Sequence, residues 1–455
     1  MIPVGSLDRP RRSAARRSSA EKRQSIMAAS LRLFIDVGYE RTRIGDICEA
    51  SGFSVGSIYH FFGSKSEIAA ELCAFGARDW AAAVAEPMRT APTAEAAVQG
   101  YVRAFFDWVA VHPDLYNFVN DHRVEAASSA ARSEIGRAHA ALEEALVARL
   151  GAEASAGNVR SMPTDVLRAI IDGPCIAYLL WWSRNRGEMS SMREQIAAMV
   201  WNALAADGTE ADTVDPRPER DAFSKIEAAV VERMWRAGAR GAETRERILA
   251  VALSCFTEFG FERTSVLDIA RQADIAVGTI YHHFGSKEGI AAAWCAEAWG
   301  DWYRTLGRVL EIDAPPPALI RRLVLTMFDW VEVNADLYAF IYDVRRIATA
   351  RPRVDHFESA RSHALQRVGA ALAGPMARGE VRPMTPHAFL AIAHGSCLGY
   401  AVPWSARRDG WGDAPALIAD AVWRAVRGRA TISCDSRPAV ATRRPSGGSG
   451  SPDTV

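Results

Sequence analysis

An all-α fold made of two tandem copies of one helical unit is predicted by three features of this 455-residue sequence. First, the length exceeds what a single hydrophobic core normally supports. Second, an internal repeat runs at a constant displacement of 222 residues. Gly38-Tyr-Glu-Arg-Thr42 returns as Gly260-Phe-Glu-Arg-Thr264, and Val55-Gly-Ser-Ile-Tyr-His60 returns as Val277-Gly-Thr-Ile-Tyr-His282. Half of the pairs from Gly38/Gly260 to Glu67/Gly289 are identical, and the same displacement relates Asp107-Trp108 to Asp329-Trp330, Gly173 to Gly395 and Trp201 to Trp423. A period this long marks two structural units. Third, apolar residues recur at helical spacing inside each copy, with no strand-like alternation.

The elements follow in order. Ile26, Ala29, Leu33, Phe34 and Val37 make one apolar stripe, matched by Ile248, Val251, Cys255, Phe256 and Phe259, and Gly38 or Gly260 stops the helix. A short helix is expected over Ile44–Ala50 and Val266–Gln272. Ser265-Val-Leu-Asp268 reads as a capping box, and with Arg43 in place of that Ser the first copy is expected to cap through Thr42. After a three-residue turn comes a third helix, Val55–Phe62 or Val277–Phe284. A Gly-Ser-Lys segment then leads into a long fourth helix, capped by Ser64-Lys-Ser-Glu67 in the first copy.

Composition excludes several classes. Lys plus Arg equals Asp plus Glu at 54 each, so no global field points to nucleic acid or membrane, and any such partner must be met locally. The seven cysteines lack metal-ligand spacing and are read as reduced, so no metal or cofactor is expected and the location is expected to be cytoplasmic. Pro383 to Ala406 carries no charge and is long enough to span a bilayer. Its histidines, glycines and Pro403, and the charges of its repeat mate, favour a buried packing helix, so no membrane partner is expected. No nucleophile elbow, Walker loop, dinucleotide fingerprint or His-Glu-x-x-His is present, and the chain is not expected to be an enzyme.

Two short helices joined by a tight turn form a helix-turn-helix, which sets its second helix in the major groove of DNA. On Val55–Phe62, positions 55, 58 and 62 face inward and leave Gly56, Ser57, His60 and Phe61 outside with Tyr59 at the edge. Gly56 admits a phosphate close to the backbone, while Ser57, Tyr59 and His60 offer donors to phosphates or base edges, and Lys65 adds a charge at a helix start. Gly278, Thr279, Tyr281, His282, His283 and Lys287 repeat the pattern.

Thr42-x-x-x-Asp46-Ile47 with Phe53-Ser-Val-Gly-Ser-Ile-Tyr-His-Phe-Phe-Gly-Ser-Lys65, and the counterpart ending at Lys287, resemble the DNA-binding domain of TetR-family repressors over some fifty residues per copy. The resemblance implies a trio of DNA-binding helices below a helical ligand-binding and dimerisation domain whose last two helices pair into a four-helix bundle. It also implies that Thr42, Ser54, Ser57, Tyr59, His60 and Lys65 line the DNA face, with Thr264, Thr279, Tyr281, His282 and Lys287 in the second copy.

The expected organisation is a basic arm (1–19), a first helix-turn-helix domain (20–66) and a first ligand-binding and dimerisation domain (67–206). A linker (207–222), an extra helix (223–241), a second helix-turn-helix domain (242–288), its helical partner (289–429) and a disordered tail (430–455) follow. Because both units share one chain, an intramolecular pseudo-dimer is expected, with Thr164–Ser183 and Ser190–Ala205 against Pro386–Ser405 and Pro415–Val426, and with Gly173, Gly395 and Gly399 allowing close approach. The reading faces differ at Arg43/Ser265, Ser54/Ala276, Ser57/Thr279 and Phe61/His283, so the double-stranded operator is expected to have imperfect half-sites. Asp274 replaces Gly52 in the second turn. That charge near phosphates leaves an alternative: a ligand-binding or protein-interaction module with degenerate DNA binding. Trp108, Tyr116, Phe118, Tyr178, Trp181, Trp330, Tyr338, Phe340, Tyr400 and Trp404 are candidate wall residues for an apolar or aromatic effector, weighed against an ordinary role in the core.

Overall fold

The computed structural model describes residues 18–39, 41–121, 129–182, 189–206, 240–261, 263–340, 355–407 and 409–428. Most of the basic arm, the linker, nearly all of the extra helix and the tail lie outside them. Among the described residues there is no β-strand, only two isolated bridges, Val159 with Ala205 and Val381 with Arg427.

The first unit runs α1 (Ser19–Leu33), α2 (Ile44–Ser51), α3 (Val55–Phe61), α4 (Lys65–Thr90), α5 (Ala94–Val111), α6 (Pro113–Asp121), α7 (Ser129–Ser155), α8 (Thr164–Trp182) and α9 (Met189–Leu204). The second unit repeats the order with α10 (Arg240–Phe259), α11 (Val266–Gln272), α12 (Val277–Phe284), α13 (Lys287–Leu310) and α14 (Pro316–Val333). A helical stretch over residues 335–340 stands where α6 stands, and α15 (Asp355–Ala377), α16 (Pro386–Arg407) and α17 (Ala414–Val426) complete the unit.

Local chemistry sets the helix ends. The Ser18 hydroxyl accepts from the Glu21 amide at 3.2 Å while the Glu21 carboxylate accepts from the Ser18 amide at 2.7 Å, satisfying two free donors of α1. The helix continues through one π turn, Phe34–Gly38, and stops where Gly38 adopts φ +97°. Gly260 does the same for the second unit at φ +84°. The last members of the predicted stripes, Val37 and Phe259, remain exposed.

One apolar core runs through both units. The seam between them is made by α8, α9, α16 and α17, each of which packs on the other three. At its centre α8 and α16 meet backbone to backbone: a Cβ added at Gly173 would lie 2.1 Å from the Gly395 carbonyl oxygen, and one at Gly395 would lie 2.6 Å from that of Gly173. A Cβ at Gly399 would sit 3.0 Å from the Ala169 backbone. The uncharged stretch of the second unit is therefore a packing helix, and no helix among the described residues is long and apolar enough to cross a membrane. The cysteines among those residues form no disulfide and are mostly buried, while Cys434 lies outside them.

Candidate nucleic-acid interface

The second helix of each helix-turn-helix stands on one buried anchor, Ile58 in α3 and Ile280 in α12, both fully shielded. With the anchor inward, Tyr59 and Tyr281 are half exposed, at 51% and 52%, and His60 and His282 lie beside them in the open. Ser57 and Thr279 are partly covered. A Cβ added at Gly56 or Gly278 would meet nothing within 4 Å, so an approaching molecule finds bare backbone there. Arg43, Ser54 and Ser265 are exposed along the same segments, and His283 is partly covered.

The turns before these helices differ in their chemistry. Gly52 takes φ +75° in the first, and in the second Asp274 holds φ +51°, a left-handed conformation that Asp tolerates better than most residues. Ser54 caps α3 by accepting from the Ser57 amide at 3.2 Å, whereas Ala276 provides no side-chain cap for α12. The Ser265 and Asp268 capping box closes as expected, with the Asp268 amide donating at 3.2 Å and the Ser265 amide at 3.0 Å. The Ser265 hydroxyl, which also donates to the Asp268 carboxylate at 2.5 Å, and after it the Ser265 amide hold that carboxyl below the usual carboxylate range.

Several expected contacts turn inward. Thr42 and Thr264 are both 2% exposed. The Thr42 hydroxyl donates to the Gly38 carbonyl at 2.8 Å, and that of Thr264 to the Gly260 carbonyl at 2.9 Å. Neither lies on the outer face, because each closes the carbonyl end of the preceding helix. Thr42 therefore does not cap α2. The Asp46 carboxylate instead accepts from the Arg43 amide at 2.7 Å. Lys65 donates to the carbonyls of Tyr39 at 2.7 Å and Thr42 at 3.1 Å, with its ammonium 4.4 Å from the Tyr39 ring centre. Lys287 repeats this on Phe261, at 2.8 Å and 4.3 Å. These ammonium groups fasten the fourth helix of each unit to the loop before the second, and their charge reaches the surface only from that tethered position. Val55, expected inward, is 51% exposed because α3 begins there and no neighbour covers its first turn. Arg23 is also tied down: it donates to the Phe61 carbonyl at 2.9 Å, pairs with Glu71 at 3.1 Å and covers the Phe62 ring.

The candidate effector residues are mainly core. Phe118 stacks on Phe34 with centroids 5.4 Å apart, and its repeat mate Phe340 stacks on Phe256 at 5.1 Å. Both pairs join the helical domain to the first helix of the same unit. Tyr178 packs on Phe106, Trp404 stacks on Trp411 at 3.8 Å, and Tyr338 and Tyr400 are nearly covered. Trp108 and Trp330 are buried with their indoles hydrogen-bonded, Tyr116 is half-buried, and the Trp181 side chain lies outside the described residues. A cavity of about 470 Å³ opens at the seam instead, lined by Trp201 and by none of these residues.

Sequence reading missed the polar groups inside the helical domains. The fully buried Tyr101 hydroxyl donates to Asp172 at 2.6 Å, and burial raises the Asp172 carboxyl above its ordinary range. In the second unit the repeat mates are Leu323 and His394. His394 packs against Trp299 and Trp302, and burial lowers its pKa to about 4. The sequence signal was a few polar residues, Asp172 with Asp165 and Arg168 in one copy and His394 with His387 in the other, on helices that are mostly apolar.

The family model described as bacterial regulatory proteins of the tetR family matches residues 26–72 and again 248–294. The chain is 42% identical over 55 residues to the A-factor receptor protein of Streptomyces griseus, which is 12% of this chain and 20% of that one. It is 29% identical over 115 residues to the HTH-type transcriptional repressor KstR2 of Mycobacterium tuberculosis, 25% of this chain and 57% of that one. Over 91 residues it is 29% identical to the HTH-type transcriptional regulator BetI of Paraburkholderia phymatum, 20% of this chain and 46% of the relative. These matches span from a fifth to under three fifths of the relatives' own lengths. Among solved structures, KstR2 of Mycobacterium tuberculosis superposes with a TM-score of 0.32 at 23% identity, covering 42% of this chain and 97% of that one. FadR of Bacillus subtilis in complex with stearoyl-CoA gives 0.35 at 16%, covering 41% and 99%. The two matches to this family model lie in register with the repeat, so the chain carries two tandem units that are similar to bacterial regulatory proteins of the tetR family.

Proposed function

We propose that this chain is a DNA-binding transcriptional regulator, a ligand-responsive repressor that acts as a single-chain pseudo-dimer on an imperfectly palindromic operator. The observation that carries the proposal is the pair of open helices α3 and α12, each standing on one buried isoleucine and presenting the same Gly, Tyr and His outward. Such a helix fits the major groove, and two heads on one body read two half-sites about one helical turn, roughly 34–36 Å, or a small multiple apart. The close backbone approach at Gly173 and Gly395 supports pairing within the chain. Repression and ligand response rest on the names of relatives, a receptor and a repressor. The effector is an apolar or aromatic small molecule. The stacks of Phe118 on Phe34 and Phe340 on Phe256 give each helical domain a rigid contact with its reading head, so a ligand that favours one spacing of the heads shifts DNA affinity. Ser54, Ser57, Tyr59 and His60, with Thr279, Tyr281, His282 and His283, are the proposed contacts, and Arg43, Ser265, Gly56 and Gly278 flank them. The reaction chemistry of an enzyme plays no part, and the working compartment is the cytoplasm.

Selection of random duplex DNA by the purified full-length chain, with its mass in solution recorded alongside, tests this. A two-part site recovered by a single chain is the expected result. Recovery of one half-site alone favours a degenerate second head, for which uncapped α12 and the Asp274 charge are the physical grounds. No enrichment at low salt overturns DNA binding.

A further inference from the structure

The two reading helices are held at their carbonyl ends in different ways. In the first unit Arg23, in the second turn of α1, joins three elements. Its guanidinium donates to the carbonyl of Phe61, the last residue of α3, at 2.9 Å, pairs with Glu71 of α4 at 3.1 Å and lies 4.4 Å from the centre of the Phe62 ring. A planar group with donors in fixed directions makes such contacts together in one orientation only. Glu67 adds a second hold from α4, its carboxylate accepting from the Gly63 amide at 2.9 Å. In the second unit both carboxylates are gone, Gly289 standing for Glu67 and Ala293 for Glu71. Arg245, the mate of Arg23, pairs instead with its chain neighbour Glu246 at 3.4 Å, and its guanidinium is 5.5 Å from the centre of the Phe284 ring. Among the described residues no bond runs from Arg245 to the carbonyl end of α12, which closes on Gly285 at φ +71°.

We propose that Arg23 and Glu71 are positioning residues that fix the direction of the first reading helix, and that α12, without this clamp, reads its half-site with lower base discrimination. Ile58 and Phe62 decide which face of α3 turns inward, whereas the tilt of a helix of 7 residues is set by what holds its ends. Ser54 holds the start and Arg23 the finish. A hydrogen bond to a base edge weakens steeply with angle, while attraction to phosphates is electrostatic and far less directional, so tilt bears on discrimination before it bears on affinity. The Arg23 and Glu71 side chains both reach solvent, so their pairing adds little to stability and its effect is on direction. The missing cap at Ala276 acts at the other end of α12 and is a separate difference between the heads. The inference rests on the DNA-binding reading of both heads.

The test uses the full chain and the operator it selects, with base pairs substituted in one half-site at a time and H60A and H282A assigning each half-site to its head. In the parent chain a substitution in the first half-site is expected to cost about tenfold more affinity than the matching one in the second. E71Q and R23M are expected to bring the two penalties close together, while the slope of log affinity against log salt stays as in the parent, because neither side chain contacts phosphate. A293E, which sets a carboxylate where Glu71 stands in the first unit, is expected to raise the second penalty and leave the first as it was. Hydrogen exchange of the DNA-free chain reads the clamp itself, with the end of α3 opening faster in E71Q and that of α12 slower in A293E. A role confined to stability moves the exchange and the thermal midpoint but leaves the ratio of penalties unchanged, and that result overturns the proposal. So does a slope that falls by about 0.9 in R23M, the mark of a lost phosphate contact. A chain that selects no operator refutes the DNA-binding reading beneath the inference, whereas binding with equal penalties in the parent refutes the inference alone.

Discussion

Trp108 donates its indole N–H to the Asp79 carboxylate at 2.8 Å, and 222 residues on Trp330 makes the same bond to Asp301 at 2.9 Å. In both units the bond ties the fifth helical segment to the long fourth helix, which carries the motif of each reading head at its start. Both indoles are buried, at 7% and 3% exposure, so each needs an acceptor inside the protein. Replacing Asp79 or Asp301 by Ala is expected to destabilise the chain by about 1–3 kcal/mol, the usual cost of a buried donor left without its partner. Thermal or urea denaturation measures it, and a change under about half a kcal/mol in both variants would assign the bond no structural role.

The glycine contact at the seam reverses a normal sign. In a helix interior Gly→Ala gains about 1 kcal/mol. At Gly173 the added methyl would meet the Gly395 backbone at 2.1 Å, so G173A is expected to lose stability and loosen the pairing of the units. Small-angle scattering reads the second effect directly, and a stabilised, equally compact G173A protein would show that α8 and α16 do not meet this closely.

Buried His394 makes stability depend on pH. Its pKa of about 4 in the folded chain lies below the ordinary value near 6.5, so the unfolded chain binds the extra proton between these two values. Stability contributed by the neutral ring is full above about pH 6.5, falls as pH drops through the window and is gone below about 4. The span corresponds to about 3 kcal/mol at most. H394Q is expected to flatten the stability profile between pH 4 and 6.5. Asp172 runs the other way, since its raised pKa makes the folded chain hold its proton longer and adds stability toward acid. D172N, measured over the same range, separates the two.

Capping chemistry offers a test of the weaker head. Ala276 leaves α12 uncapped where Ser54 caps α3. A276S is expected to stabilise the second helix-turn-helix by about 1 kcal/mol and S54A to cost the first about as much. Under the proposed function, A276S also strengthens binding to the second half-site severalfold. Hydrogen exchange of the two helices reports the first effect and half-site titration the second, and equal exchange before and after substitution would remove the cap as the source of any difference between the heads.

Much of the architecture was legible in residue order. The repeat, the capping residues Ser64 and Ser265, the stop glycines Gly38 and Gly260, and the inward Ile58 and Phe62 depend on neighbours within a turn or two, and the structure follows them closely, Val55 at the open start of α3 excepted. The outward Tyr59 and His60 were legible for the same reason, because fixing Ile58 inward on a short helix fixes what faces away. The inward turn of Thr42 and the tethering of Lys65 were not. Their partners are carbonyls 4 to 26 positions away, exposed only once the chain has closed a loop.

Sequence alone thus determined that there are two helical units of one design, where most helices begin and end, and which short helices stand open. Tertiary structure decided which aromatic residues are core, that Tyr101 holds Asp172 while His394 occupies the matching place, and that one niche at the seam is filled by Arg160, Asp420 and Arg424 while its mate is open. The division has a physical basis. Periodicity and capping are local properties that recur with the repeat, whereas burial and charge pairing across the seam depend on both copies at once, and there the copies differ.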